Sequence, residues 1–370
     1  MTSANPRAAD EKRLFHTLDG LRGIAALAVV ARHLPDSTLG ALVPSSHLAV
    51  DLFFALSGFV LAHAYQARLA GPLGVPAFLR IRLIRLYPLY LLGTLIGTVP
   101  IVASQLFGLG TDTVGALYAS LLLGLLFLPA PGPLSSNGTN LYPFDFPAWS
   151  LWWEMLVNVL YALVAPRLTD RLLIAILGCG ATLLAFSAWR FGGLATGADM
   201  ATWAGGGQRV VYGFFVGVAV YRLWRSGRFS AFTIPSWLAA AIVLGVFAFR
   251  PGAAALYDVL VALVVFPLLI LAATREPGDR LKPACLRLGV ASYALYVLHV
   301  PVLRLTDWVM GRLGHPLASF GWPGSLAFIA AVLACALLAD RLYDAPLRRW
   351  LGKRGKPALP AALPVVPTPI

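Results

Sequence analysis

Two ionisable side chains stand eleven residues apart in an otherwise apolar stretch, Arg22 and His33 in LDGLRGIAALAVVARHL. Burying such groups in a membrane-type segment is costly, so each is read first as a functional candidate. Eleven residues is close to three helical turns, which puts both on one face, ~16 Å apart along the axis. They are too distant to pair and instead mark two points on a polar track running inward from a membrane surface. A histidine there suits proton removal from a hydroxyl. Arg22 taken alone also reads as a side chain snorkelling to headgroups. His33, with Pro35 and Asp36 close behind it, also reads as an interfacial histidine at the far end of a span. Asp19 near the helix start suits the positive end of the dipole.

Three further clusters carry polar groups inside apolar sequence. In FLRIRLIRLYPLY, Arg82 and Arg85 share a helical face and Arg80 lies on the other side of the turn. Guanidinium groups match phosphate geometry, but anchoring on anionic lipid is the simpler use. In FPAWSLWWEMLVNVLYAL, Ser150 reads as an N-cap and Glu154 as a first-turn acid, with Asn158 one turn further along the same face. Facing a bundle interior, Glu154 would orient a sugar hydroxyl or an imidazole. In LGVASYALYVLHVPVL, Ser292, Tyr293, Tyr296 and His299 read first as hydrogen-bonding glue between helices. Asp51 and Ser57 in VDLFFALSGF are intramembrane polar groups, and Gly58 beside them permits close helix approach. His63 falls near the inner end of that span, and His16, His47 and His315 receive no role.

The elements that must position these groups follow from composition. The chain has 370 residues, of which 59% are hydrophobic and only 12% charged, and its mean hydropathy is +0.77. Soluble domains carry about twice that charged fraction, so lipid is the main solvent. Continuous apolar runs exclude a transmembrane barrel. Eleven runs recur between residues 18 and 343, including 18–36, 86–107, 114–130 and 286–310. The predicted fold is an all-α polytopic membrane protein, a bundle of about ten transmembrane helices with at least one broken or re-entrant segment. That last feature comes from parity. Basic loops at 68–85 and 167–171 belong on the same side, yet three apolar runs separate them, and Pro88, Pro100 and Pro129 invite a break. The turn-rich stretch 131–148 lacks Lys and Arg and suits the opposite face.

Three domains are expected: a cytoplasmic N-terminal tail (1–13), an integral-membrane domain (14–345) and a basic, then Pro-rich, cytoplasmic tail (346–370). No signal peptide is read in the opening residues, and both termini are assigned to the cytoplasm. The net charge of +13 is read as a topology signal and not as nucleic-acid binding. The three cysteines lie in separate segments, and neither a disulfide framework nor a metal site is indicated.

Taken in order, LDGLRGIAALAVVARH, DLFFALSGFVLAHAY, RIRLIRLYPLY, WSLWWE and SYALYVLH resemble the membrane-bound acyltransferase-3 family, over residues 14 to 345. The resemblance implies acyl transfer, usually of acetyl, from cytoplasmic acyl-CoA to a hydroxyl of a glycan or glycosylated acceptor, in the bacterial inner membrane. It makes His33 the catalytic histidine, with Arg22 as its motif partner. Arg82 and Arg85, with Arg80 beside them, become the CoA-phosphate ligands, and Glu154 takes a catalytic or acceptor-side role. Asp19, Ser57, Asn158, Ser292, Tyr293, Tyr296 and His299 are candidate supporting groups. Acyl-CoA is then a donor substrate, with no permanently bound cofactor. Some family members carry an added extracytoplasmic hydrolase-like domain, which is not expected here, since the sequence ends soon after residue 345. The rival class is a transporter or flippase for a glycan or lipid intermediate, without CoA chemistry. The sequence sets neither acceptor nor oligomeric state.

Overall fold

The computed structural model describes residues 14–35, 39–136 and 138–353. The N-terminal tail, Asp36 and the Pro-rich end fall outside the described residues. What is described is helical, with a lone bridge between Asn140 and Asp199. In chain order the main helices are α1 (His16–Arg32), α2 (Ala49–Leu69), α3 (Val75–Leu106), α4 (Val114–Leu125) and α5 (Ala148–Val164). There follow α6 (Asp170–Phe191), α7 (Trp203–Arg225), α8 (Ser236–Ala248) and α9 (Ala254–Ala272, with a π-turn at Val261–Val265). The last three are α10 (Lys282–Arg312), α11 (Gly321–Ala339) and α12 (Ala345–Lys353). Among the described residues, seven helical stretches are long and apolar enough to cross a membrane. The fold is an all-α polytopic membrane protein, as composition requires.

Of the two runs in which the sequence allows a break, 86–107 and 114–130, the first does not break. α3 runs unbroken for 32 residues with Pro88 and Pro100 inside it. Its length, ~48 Å, exceeds the ~30 Å hydrocarbon layer, so one end projects beyond it. That end is basic. The predicted loop at 68–85 is therefore mostly helix, and only residues 70–74 connect α2 to α3. Pro76 in the first turn presets the backbone for helix and lacks the N–H that would otherwise be unsatisfied there. Arg222 and Arg225 close the last turn of α7. By contrast α4 has 12 residues and reaches only ~18 Å.

Two interfaces hold the bundle. α2 packs along α7, and α1 along α10. Both depend on glycine where backbones nearly touch. A Cβ at Gly58 would lie 1.9 Å from the Phe214 carbonyl oxygen, and one at Gly217 2.0 Å from that of Ala55. On the other side, a Cβ at Gly23 would fall 2.4 Å from the Leu288 Cβ, and one at Gly289 2.6 Å from the Asp19 Cβ. Small residues let membrane helices approach this closely. Gly20 and Gly23 face Cys285 and Leu288, and His33 lies against His299. The two helices therefore run in the same direction and bring two sequence motifs together.

Candidate active site

Toward the N-terminal end of α1 a cavity of about 140 Å³, partly open, is lined by Arg22, Ser57, Arg82, Arg85, Glu154 and Ser292, with Tyr293 and Tyr296. Five helices that are distant in sequence meet there. Arg22 donates from Nε to Ser292 Oγ at 3.1 Å and pairs with Asp19. Arg82 Nη2 donates to Glu154 Oε1 at 2.9 Å, and the same oxygen accepts from Ser57 Oγ at 2.8 Å. Arg85 lies over the Tyr293 ring, 5.0 Å from its centroid, and reaches Asp344 at 3.4 Å. The Tyr293 hydroxyl donates to the Leu86 carbonyl.

The donor capacity here is incompletely used. Arg82 Nε is buried without a hydrogen-bond partner, and the 3.4 Å contact of Arg85 is too long for a strong charge-assisted bond. Guanidinium groups held in place but under-satisfied are suited to receiving phosphate oxygens.

His33 is not in this cavity. It lies just past the last residue of α1, with Nδ1 2.8 Å from the Val29 carbonyl oxygen. Its ring edges two other cavities toward the C-terminal end of α1. One is lined by Arg32, His33, Asn140, Phe146, Arg304 and Asp307. The second is lined by Val29, Val50, Phe146, Arg209 and Tyr296 among others. Val50 and Tyr296 line both this second cavity and the arginine-rich one. The polar track expected from the Arg22–His33 spacing is thus two chambers with Val50 and Tyr296 as the partition. The Tyr296 hydroxyl and Ser150 Oγ, 2.6 Å apart, form a hydrogen bond at that partition.

Several expected residues take other places. Arg80 is exposed and donates to the Leu351 carbonyl on α12, away from the cavity. Asn158 is fully buried, with neither side-chain polar atom bonded, and lines none of the three cavities. Ser150 does not cap α5. The helix begins at Ala148, so Ser150 lies inside its first turn and Glu154 in its second. His299 is buried, its Nε2 3.2 Å from His33 Nδ1.

Sequence reasoning passed over the groups on the His33 side. Arg304 donates to the Pro143 carbonyl and Arg32 to that of Pro44. Asp145 is buried with neither carboxylate oxygen bonded. Burial pushes its carboxyl well above the usual carboxylate range, opposed by the charge of Arg304. Also missed was Arg209, which grips Asp51 through two nitrogens at 3.0 and 2.7 Å. An arginine in an apolar helix was available as a signal in each case; its partner was not.

The structure is a membrane helix bundle with a cationic chamber on one side of Val50 and Tyr296 and a histidine on the other. The match of an acyltransferase domain model to residues 15–341 names it further. The chain belongs to the acyltransferase-3 family and is an acyltransferase, which sets aside the transporter alternative. It is 29% identical to the acyltransferase MdmB of Streptomyces mycarofaciens, over 91% of this chain and 92% of that protein. To the exopolysaccharide production protein ExoZ of Rhizobium meliloti (strain 1021) it is 28% identical, over 83% and 90%. Protein 2 in the picA locus of Rhizobium radiobacter is 43% identical over 48% of this chain and 96% of its own. No solved structure matches.

Proposed function

We propose that this enzyme transfers an acyl group, most simply acetyl, from acyl-CoA to a hydroxyl of a glycan or glycosylated acceptor, with the donor entering from the cytoplasmic side. The observation that carries the reading is the partition. Arg22, Arg82 and Arg85 line one chamber, His33 edges those beyond it, and Tyr296 lies between. In this reading the arginine-rich chamber takes the nucleotide end of the donor, its guanidinium groups bonding the phosphates. The thioester is carried past Tyr296 toward the base.

The acceptor enters from the Arg304 side. His33 takes the proton of its hydroxyl as that oxygen attacks the thioester carbonyl carbon. The C–S bond breaks, the acyl group passes to oxygen, and CoA leaves as the thiol after taking up the proton. Removing such a base typically costs about 10²–10⁴-fold in rate. The name of MdmB supports acyl transfer, and that of ExoZ, an exopolysaccharide production protein, supports an acceptor built on a polysaccharide. Membranes carrying His33→Ala, given radiolabelled acetyl-CoA and a surface-glycan acceptor, should bind the donor but transfer little label. Undiminished transfer would remove His33 from the reaction.

A further inference from the structure

We propose that His299 is a positioning residue that fixes His33 as an Nδ1-protonated imidazole and stabilises the imidazolium formed when His33 accepts a proton. The proposal rests on His33 being the base. It is drawn from the hydrogen bonds around both rings. His299 Nδ1 lies 3.0 Å from the Leu295 carbonyl oxygen and 2.8 Å from that of Tyr296. A carbonyl oxygen only accepts, so Nδ1 of His299 carries the proton and its Nε2 presents a lone pair. That lone pair faces His33 Nδ1 at 3.2 Å. His33 Nδ1 also has a second acceptor, the Val29 carbonyl at 2.8 Å. Both neighbours demand a proton on Nδ1 of His33. Its Nε2 is thereby left unprotonated and able to take a proton.

The arrangement repeats the logic by which an acceptor behind a catalytic histidine selects its tautomer and holds its ring. Here a neutral imidazole and a backbone carbonyl occupy the place of a carboxylate. A neutral acceptor suits this depth, because a carboxylate buried among apolar helices would add a large desolvation cost. The rings are 4.9 Å apart at 63° and are carried on α1 and α10, whose backbones are brought together by Gly23 and Gly289. His299 is 1% exposed, so solvent does not compete for its Nε2. Tyr296, one turn earlier on α10, lines the partition. One short run of α10 therefore contributes both to the wall and to the support of the base.

Three replacements separate this role from packing. Glutamine ends near where the imidazole Nε2 lies, so its amide oxygen can accept from His33. Asparagine ends near Nδ1 and cannot reach, and leucine fills space without any acceptor. Steady-state transfer by the full-length protein in detergent should show kcat lowered about 10–100-fold in His299→Leu and His299→Asn, with KM for acetyl-CoA unchanged. His299→Gln should recover most of the loss. Wild-type kcat in the leucine variant, or glutamine no better than asparagine, overturns the proposal while leaving His33 as the base. Activity surviving in His33→Ala would instead defeat the underlying reading. Should the variants not fold, ¹⁵N spectra of the histidine-labelled wild type decide. Nδ1-protonated neutral rings for both residues are expected, and an Nε2-protonated His33 overturns the proposal.

Discussion

Arg209 and Arg82 both lie inside the helix bundle, each against a carboxylate, yet they serve opposite ends. Arg209, 2% exposed, meets both oxygens of Asp51 and also donates to the carbonyls of Thr196 at 2.8 Å and His47 at 2.9 Å. Each of its three nitrogens has a partner, and its charge lies over the Trp149 ring, 5.4 Å from the centroid. It ties α7 to α2, to the turn before α2 and to the segment after α6. Arg82 has a single bond to Glu154 and a buried Nε with no partner, and it faces open space. A buried cation whose donors are saturated holds structure. One whose donors are left over beside open space is, in the proposed reading, the place for a ligand.

The largest effect that tests this contrast is on stability. Arg209→Met strands the Asp51 carboxylate in the bundle, and breaking a buried pair from one side costs about 3–5 kcal/mol. Thermal unfolding in detergent should fall markedly, and the double replacement with Asp51→Leu should recover much of it. Near wild-type unfolding in the single variant would show that saturation is a poor guide to structural duty.

The donor arginines should behave in reverse. Each hydrogen bond to a charged group is worth about 1.5–3 kcal/mol, so Arg82→Ala combined with Arg85→Ala should weaken CoA about tenfold or more per residue. CoA-dependent thermal stabilisation of the purified protein reads this directly. Unfolding without CoA should shift much less than in Arg209→Met. Full CoA affinity in the double variant would reject the phosphate role.

What was legible in the sequence follows the same division. Arg22, Arg82, Arg85, Glu154, Ser57, Ser292, Tyr293 and Tyr296 were marked by residue type in apolar runs and by motif order, and they line one chamber. Helical periodicity relates residues within one run only. It could not show that Asp51 meets Arg209, 158 positions away, or that His47 bonds Asp258 at 2.8 Å. Nor could it aim the His33 ring, which lies where α1 ends and helical geometry no longer dictates direction. Proline, weighed as a breaker, left open which of the runs 86–107 and 114–130 fails to cross, and α3 is the one that stays unbroken. A helix in lipid retains its remaining backbone bonds, since no water replaces them.

Arg80 sharpens the comparison at its weakest end. Two residues before Arg82 in the same helix, it was grouped with the donor ligands by sequence proximity alone. In the structure it points away from the chamber and donates at 2.8 Å to the Leu351 carbonyl on α12. That contact is exposed, and surface replacements of this kind change stability by about 0.5 kcal/mol or less. Arg80→Ala should therefore leave both unfolding and CoA affinity close to wild type, within about twofold in the latter. A loss as large as that of Arg82→Ala would mean that the donor's phosphates extend over the outer turn of α3. The chamber would then be only the inner part of a longer cationic groove.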